Sequence, residues 1–214
     1  MEICKVEDQS NVENYIEWDH RYSLKNWIYT LKLYCSPSFE IGFFGSCFFI
    51  GYVSSCLVFP PLADKYGRKK FILLALAIQG TCFLVLLFVP NMLVYYVVIF
   101  IFGSSVPLKN MIAYTHLMEF LPGRVGKMSG YMIFLDGMIL VVSPLVILYI
   151  THNTAIFLWI GLTMNLIGLS AFVLLYIPES IKFQLENAKF ESALKDIQYV
   201  MKFNKTTEEE RVQC

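Results

Sequence analysis

Charged residues are scarce in this sequence, and that scarcity argues against most soluble classes of protein. Asp, Glu, Lys and Arg make up 16% of the 214 residues, whereas soluble domains carry about 25%. A composition that is 57% hydrophobic excludes a disordered or collagen-like chain. Because 17 basic residues balance 17 acidic ones, a nucleic-acid binder held by a basic surface is not expected.

Signals of catalysis and metal binding are also scarce. The six cysteines form no C-x-x-C pair and the three histidines are scattered, so we predict no metal site. The sequence has no phosphate-binding loop, nucleophile elbow or paired-carboxylate arrangement, and we expect neither an enzyme nor a cofactor. Cys4 and Cys35 lie in one N-terminal segment. They could pair with each other, or each with a further part of the protein.

The few charges are confined to four islands. Residues 41–62 carry none, residues 71–118 carry only Lys109, and residues 128–177 carry only Asp136. About 20 continuous apolar residues cross a bilayer as a helix, so these runs predict five spans. The predicted spans are 41–62, 71–89, 92–118, 128–150 and 154–177. Short linkers predict that consecutive spans are antiparallel neighbours.

Basic residues indicate the cytosolic side of this predicted all-α membrane protein. Loop 63–70 carries four Lys or Arg residues and loop 119–127 carries two, whereas the loops near residues 90 and 152 carry none. We therefore expect an outer segment, a five-helix bundle and a cytosolic tail, in a multi-pass protein of the plasma membrane. Their bounds are 1–40, 41–177 and 178–214. The outer segment has no apolar signal sequence, so a preceding span is expected to be missing.

The tail predicts an amphipathic helix between Glu186 and Asn204. Apolar residues recur there at helical spacing; they are Phe190, Leu194, Ile197 and Met201. Charged residues lie elsewhere on the helix; they are Lys189, Glu191, Lys195 and Asp196. We expect the apolar face to pack under the bundle, and the alternative is a helix lying on the membrane surface.

Lys109 and Asp136 are the two charges within the predicted spans. A rise of about 1.5 Å per residue places them about 15 and 13 Å from the same end of adjacent helices. A lone charge at that depth costs at least about 2.5 kcal/mol, which favours pairing. One interpretation is a salt bridge that clamps the third and fourth spans. The other is a cavity wall that contacts an ionic solute or proton, with Ser105 and Asn110 as further candidates.

Three weaker polar signals also lie in the spans. We expect His116 to be an interfacial histidine, with a proton carrier as the less favoured alternative. Asn165 is expected to donate a hydrogen bond to another helix. Cys47, Gly51 and Ser55 are spaced by four residues, a face of small residues that lets helices approach closely.

The first basic loop carries a family resemblance. Residues 60–70 read P-P-L-A-D-K-Y-G-R-K-K, which resembles the signature G-x-L-A-D-[KR]-x-G-R-[KR] between the second and third spans of the major facilitator superfamily, with Pro60 in place of the leading Gly. Gly67 can take a positive φ, Asp64 can accept from N–H groups at a helix start, and Arg68 can pair bidentately with a carboxylate. The resemblance implies a latch between two halves of a transporter. The alternative is an ordinary positive-inside anchor.

Three further segments narrow the resemblance. Residues 178–183 read P-E-S-I-K-F and resemble the P-E-S-P-R-[WF] element after the sixth span of sugar porters and organic-ion transporters. Residues 118–122 resemble the E-[WF]-x-P-x-x-x-R element after the fourth span, with Gly126 at the Arg position. Residues 27–35 resemble the outer stretch that ends L-V-C before the second span of organic cation and anion transporters. The implied latch residues are Asp64, Gly67, Arg68, Lys69, Glu119, Arg124, Glu179 and Lys182.

The resemblance implies spans two to six of the family fold, without the first span and the second half. A member moves a small organic solute by alternating access in the lipid bilayer, and no nucleic-acid partner is implied. Organic cation or anion transport is favoured over sugar transport. Pro60 and Ile99 replace a family Gly and Arg. These losses keep open the alternative of a non-transporting membrane subunit or pseudo-transporter, and a receptor or channel component is a weaker one.

Overall fold

A computed structural model describes residues 23–120 and 125–203, and these residues form helices and no β-strand. Five helices are long and three are short. They are α1 (Trp27–Thr30), α2 (Ser38–Tyr66), α3 (Arg68–Phe88), α4 (Met92–Glu119), α5 (Val125–Tyr149), α6 (Ala155–Leu174), α7 (Ile181–Glu186) and α8 (Phe190–Phe203).

Helices α2 to α6 confirm the five predicted spans. Each is long and apolar enough to cross a membrane, with a mean hydropathy between 1.7 and 2.5 over its most apolar stretch. Asn91 caps the start of α4, because its side-chain oxygen accepts from the N–H groups of Leu93 and Val94. The chain is therefore a multi-pass helical membrane protein.

Helix α4 packs against α2 and α3, and α3 also packs against α6. The α2–α4 crossing is close enough for backbones to touch, since a Cβ atom at Gly51 would lie 2.2 Å from the Phe100 carbonyl oxygen. A Cβ atom at Gly103 would lie 2.2 Å from the Phe48 carbonyl oxygen. The Ser55 hydroxyl donates to the Ser104 carbonyl at 2.5 Å. The predicted small-residue face of α2 is therefore confirmed as a helix contact.

Helix α5 is loosely packed against the other helices in the described parts of the chain. It has no buried residue and forms no extended contact with another helix in the described parts of the chain. The expectation that consecutive spans are neighbours is therefore confirmed for α3 and α4 by close packing, and α5 faces α4 across a cavity that both helices line. Helix α5 has no pronounced apolar stripe, so its sequence selects no single face for close packing.

The two ends of the bundle differ in character. We call the end that carries residues 64–70, 119 and 177–186 the charged end, and the other the opposite end. At the opposite end, the Lys25 backbone N–H donates to the His152 carbonyl at 2.8 Å, and the Thr154 N–H donates to the Lys25 carbonyl at 3.1 Å. Cys35 is disulfide-bonded, while Cys4 lies outside the described residues.

The tail forms two helices rather than one, because Ala188 takes a positive φ of 55° between α7 and α8. Phe190 and Leu194 remain 60% and 58% exposed, whereas Asp196 is buried. The Asp196 carboxylate accepts from the Tyr176 hydroxyl and from Gln184 Nε2, both at 2.5 Å. The expectation that the apolar stripe covers the contact face is therefore wrong. Hydrogen bonds to one buried carboxylate orient α8 instead.

Candidate functional site

Five residues meet at the charged end and form what we call the Arg68 cluster. They are Asp64, Arg68, Glu119, Glu179 and Ser180. They come from the end of α2, the start of α3, the end of α4 and the connection between α6 and α7. Residues far apart in sequence are thereby joined at one end of the membrane bundle.

The Arg68 guanidinium contacts two carboxylates. Its Nη1 lies 2.6 Å from Glu119 Oε1, and its Nε and Nη2 lie 3.1 and 2.9 Å from Asp64 Oδ1. The side chains of Arg68 and Glu119 are 14% and 22% exposed, whereas that of Asp64 is 63% exposed. Screening by water weakens the Asp64 pair more than the Glu119 pair. The Arg68–Glu119 contact is therefore the stronger tie between helices.

Glu179 binds the start of α3. Its Oε1 accepts from the backbone N–H groups of Arg68 at 3.1 Å, Lys69 at 3.2 Å and Ser180 at 3.3 Å. These N–H groups have no partner within their own helix, and the helix dipole favours a negative charge there. The expectation that Asp64 accepts from the helix start is wrong, because a carboxylate more than 100 residues away does so.

Gly67 makes this approach possible. Its φ is +99°, a conformation that residues with a side chain rarely adopt. A Cβ atom at this position would also lie 3.1 Å from Glu179 Oε2. A glycine is therefore needed both for the turn between α2 and α3 and for space beside the Glu179 carboxylate.

Ser180 is a member of the cluster that the sequence interpretation missed. It is 1% exposed. Its hydroxyl donates to Glu119 Oε2 and accepts from the Phe183 N–H at 3.2 Å, which caps α7. A serine directly before a helix, after Pro178-Glu179, is the cap signal that could have identified it.

The three remaining predicted latch residues, Lys69, Lys182 and Arg124, are not members of the Arg68 cluster. Lys69 donates its side-chain ammonium to the Ile177 carbonyl at 2.8 Å. Lys182 lines a small pocket of about 130 Å³ beside Asp64 and Arg68. Arg124 lies outside the described residues. None of the described His, Cys, Asp and Glu residues form a group that could hold a metal ion.

Lys109 and Asp136 line the same cavity, of about 510 Å³. Its walls come from α4 and α5, and its polar lining residues are Lys109, Asn110, Tyr114, Ser129 and Asp136. Ser105 is not among the lining residues, and its buried hydroxyl donates to the Phe102 carbonyl within α4. The structure thus gives no support to Ser105 as a cavity residue.

The ammonium of Lys109 is held by an amide rather than by Asp136. Its Nζ donates to Gln79 Oε1 at 2.8 Å, and Asn165 Nδ2 donates to the same oxygen at 3.2 Å. No ion pair joins Lys109 to Asp136 among the described side chains, so the salt-bridge interpretation is wrong. The prediction that Asn165 donates to another helix is confirmed. Gln79 was missed, although it is the only amide side chain in α3.

Comparisons with known proteins agree with this architecture. The family model described as Major Facilitator Superfamily matches residues 25–205. The chain is similar to the "Organic cation transporter-like protein" of Drosophila melanogaster, at 25% identity over 88% of this chain and 33% of that protein. It is also similar to the "Putative transporter SVOPL" of Mus musculus, at 27% identity over 86% of this chain and 35% of that protein.

The chain thus spans about a third of the length of the curated relatives it matches. The family match, in contrast, covers most of the chain and includes all five spans and the Arg68 cluster. By its sequence match and its membrane helices, this chain belongs to the Major Facilitator Superfamily.

Proposed function

We propose that this chain is part of a transporter that moves small organic ions by alternating access. The observation that carries the proposal is the position of Lys109 and Asp136, which line one cavity of about 510 Å³ between α4 and α5. The family match and the names of the two relatives support transport as the general activity.

The cavity offers groups of both charges to a solute. The Lys109 ammonium uses one of its three N–H donors on Gln79, and Asp136 has no hydrogen-bond or ion-pair partner among the described residues. Charges within membrane spans are expensive and commonly mark solute or ion pathways. An organic ion could therefore bind Asp136 through a cationic group or Lys109 through an anionic group, with Asn110 as a further polar contact.

The Arg68 cluster is the proposed latch of this transporter. It joins α2, α3 and α4 to the start of α7 at the end of the bundle that carries the basic loops. Positive loops favour the cytosolic side, so we place the charged end and residues 178–214 in the cytosol. Residues 1–40 then lie outside the cell, in a plasma-membrane protein. Breaking and re-forming the cluster would accompany the change between the two access states.

The curated relatives are longer than this chain, so the proposed partners include further parts of a transporter. They are the organic solute, the lipid bilayer, and further helices that correspond to a first span and a second half. Helix α5, which has no buried residue, offers a free surface to such helices. Solute binding near the membrane midplane, where the two halves of a transporter meet, would then involve residues from both.

Uptake of labelled organic cations, organic anions and sugars by the full-length protein tests the proposal. Lys109→Met, Asp136→Asn and the double variant should each lower uptake by about tenfold or more at equal surface level, as expected for a lost charge contact of about 1.4 kcal/mol or more. Glu191→Gln removes an exposed charge on α8, which does not line the cavity, and should transport normally. Unchanged uptake in all three cavity variants would overturn the assigned site. An absence of uptake by the wild type would favour the non-transporting alternative.

A further inference from the structure

His116 is a buried histidine whose ring nitrogens make no hydrogen bond of good geometry with the described residues. It lies in α4, one turn before Glu119, and is 5% exposed. The ring packs edge-on against Phe120 with centroids 5.2 Å apart. The expectation of an interfacial histidine stays a prediction, and the structure adds that the ring is enclosed by protein. A polar ring buried in this way needs an explanation other than packing.

Charged groups from several elements act on the His116 ring. Glu119 lies on the same helix, Arg68 comes from α3, and Glu179 comes from the connection between α6 and α7. The Pro178 carbonyl of that connection is a hydrogen-bond acceptor beside the ring. Helix α2 contributes Asp64, which is paired with Arg68. Lys69 at the start of α3 is bonded to the Ile177 carbonyl, and Arg124 lies outside the described residues.

Both carboxylates beside the ring already bind donors of the cluster, although Glu179 Oε2 accepts no hydrogen bond among the described residues. Glu119 accepts from Arg68 and from the Ser180 hydroxyl. Glu179 accepts from three backbone N–H groups. A neutral ring fits this arrangement without disturbing it. A protonated ring would add a buried charge with two N–H donors, and the acceptors beside it are the Pro178 carbonyl and the two carboxylates that already hold the cluster together.

We propose that His116 is a proton-binding site whose occupancy opens the Arg68 cluster. On protonation, the imidazolium either draws Glu119 or Glu179 away from its present donors or moves the ring into water. Each response breaks contacts that hold α3, α4 and α7 together at the charged end. Histidine changes its charge in the physiological pH range, so the cluster would respond to acidification on that side of the membrane.

Hydrogen–deuterium exchange of the full chain in lipid nanodiscs tests this inference without any transport assay. The backbone N–H groups of Arg68 and Lys69 report directly on the cluster, because both donate to Glu179. Between about pH 7.5 and about pH 5.5 we expect their protection, corrected for intrinsic exchange, to fall by about tenfold. In His116→Gln, which cannot take up a proton, protection should not change with pH. His152→Gln, at the opposite end, should behave as the wild type does.

A second variant keeps the inference testable if His116→Gln alters the packing. His116→Lys places a charged group at the same position, and Arg68 and Lys69 should exchange rapidly at both pH values. Protection around Gly51, in the α2–α4 contact, shows in each sample that the bundle is folded. An equal pH response in the wild type and His116→Gln would overturn the inference. So would a ¹³C-histidine spectrum that shows His116 protonated while Arg68 and Lys69 stay protected. Neither result depends on whether the protein transports a solute.

Discussion

Arg68 and Glu119 are joined by a 2.6 Å contact between Nη1 and Oε1, although 51 positions separate them in the sequence. The contact ties the start of α3 to the end of α4, and Ser180 extends it to α7 through the second oxygen of Glu119. One half-buried carboxylate thus holds three elements at the charged end. Removing its charge should affect all three.

Glu119→Gln should lower the free energy of unfolding by about 1–3 kcal/mol, since it weakens two charge-assisted hydrogen bonds at a partly buried site. Asp64→Asn is the matched control, because Asp64 contacts the same guanidinium but is 63% exposed; its effect should stay within about 1 kcal/mol. Unfolding by increasing SDS in mixed micelles, followed by circular dichroism, measures both. Equal losses for the two variants would contradict the ranking of the two contacts.

Gly103→Ala and Gly51→Ala should each destabilise the bundle by about 1–3 kcal/mol, because the added methyl would overlap a carbonyl oxygen of the facing helix. The nearest backbone oxygen lies 2.2 Å from the Cβ position in both cases. Gly45→Ala on α2 is the control, because its Cβ would meet nothing within 4 Å. Alanine favours a helix, so the control should be neutral or stabilising by at most about 1 kcal/mol. Detergent-unfolding midpoints that coincide for Gly103→Ala and Gly45→Ala would contradict a backbone contact.

The spans and the approximate position of the cavity were predictable because each depends on a local rule. Apolar length alone identifies helices α2 to α6, and the rise per residue places Lys109 and Asp136 at one depth, where both line the same cavity. The small-residue face on α2 followed from spacing in the same way. These features require knowledge of one helix, or of two helices joined by a short loop.

The features that the sequence did not predict depend on contacts between distant segments. Nothing near Gly67 indicates that Glu179 binds the start of α3, and nothing near Asp196 indicates that this charged residue faces inward. The loose packing of α5 has the same origin, since a helix with apolar residues on every face carries no pattern that selects a partner. In each case the deciding interaction is tertiary and outweighs the local periodicity.

Gln79→Leu should lower the free energy of unfolding by about 1–3 kcal/mol, because it leaves the Lys109 ammonium and the Asn165 amide without their shared acceptor. In a cycle with Lys109→Met, the double variant should lose less than the sum of the single variants. Thr81→Val is a control on the same helix, since its exposed hydroxyl donates to the Ala77 and Ile78 carbonyls of α3 itself; its effect should stay within about 0.5 kcal/mol. Additive losses for Gln79→Leu and Lys109→Met would contradict the shared contact.

Tyr176→Phe should loosen α8 without unfolding the bundle. The pKa of Tyr176 is raised, mainly because its hydroxyl donates to the Asp196 carboxylate, with burial and the Asp196 charge as further causes. A tyrosine with a raised pKa stabilises the folded state fully below its ordinary pKa of about 10, and this contribution is lost as the pH rises through the raised value. Amide protection of α8 should therefore fall above about pH 10 in the wild type.

In Tyr176→Phe the amide protection of α8 should already be about fivefold lower near neutral pH, as expected for one hydrogen bond worth about 1 kcal/mol. Tyr66→Phe, at an exposed position on α2, serves as the control and should leave α8 protection unchanged. Normal α8 protection in Tyr176→Phe would mean that the Gln184–Asp196 contact alone holds the helix.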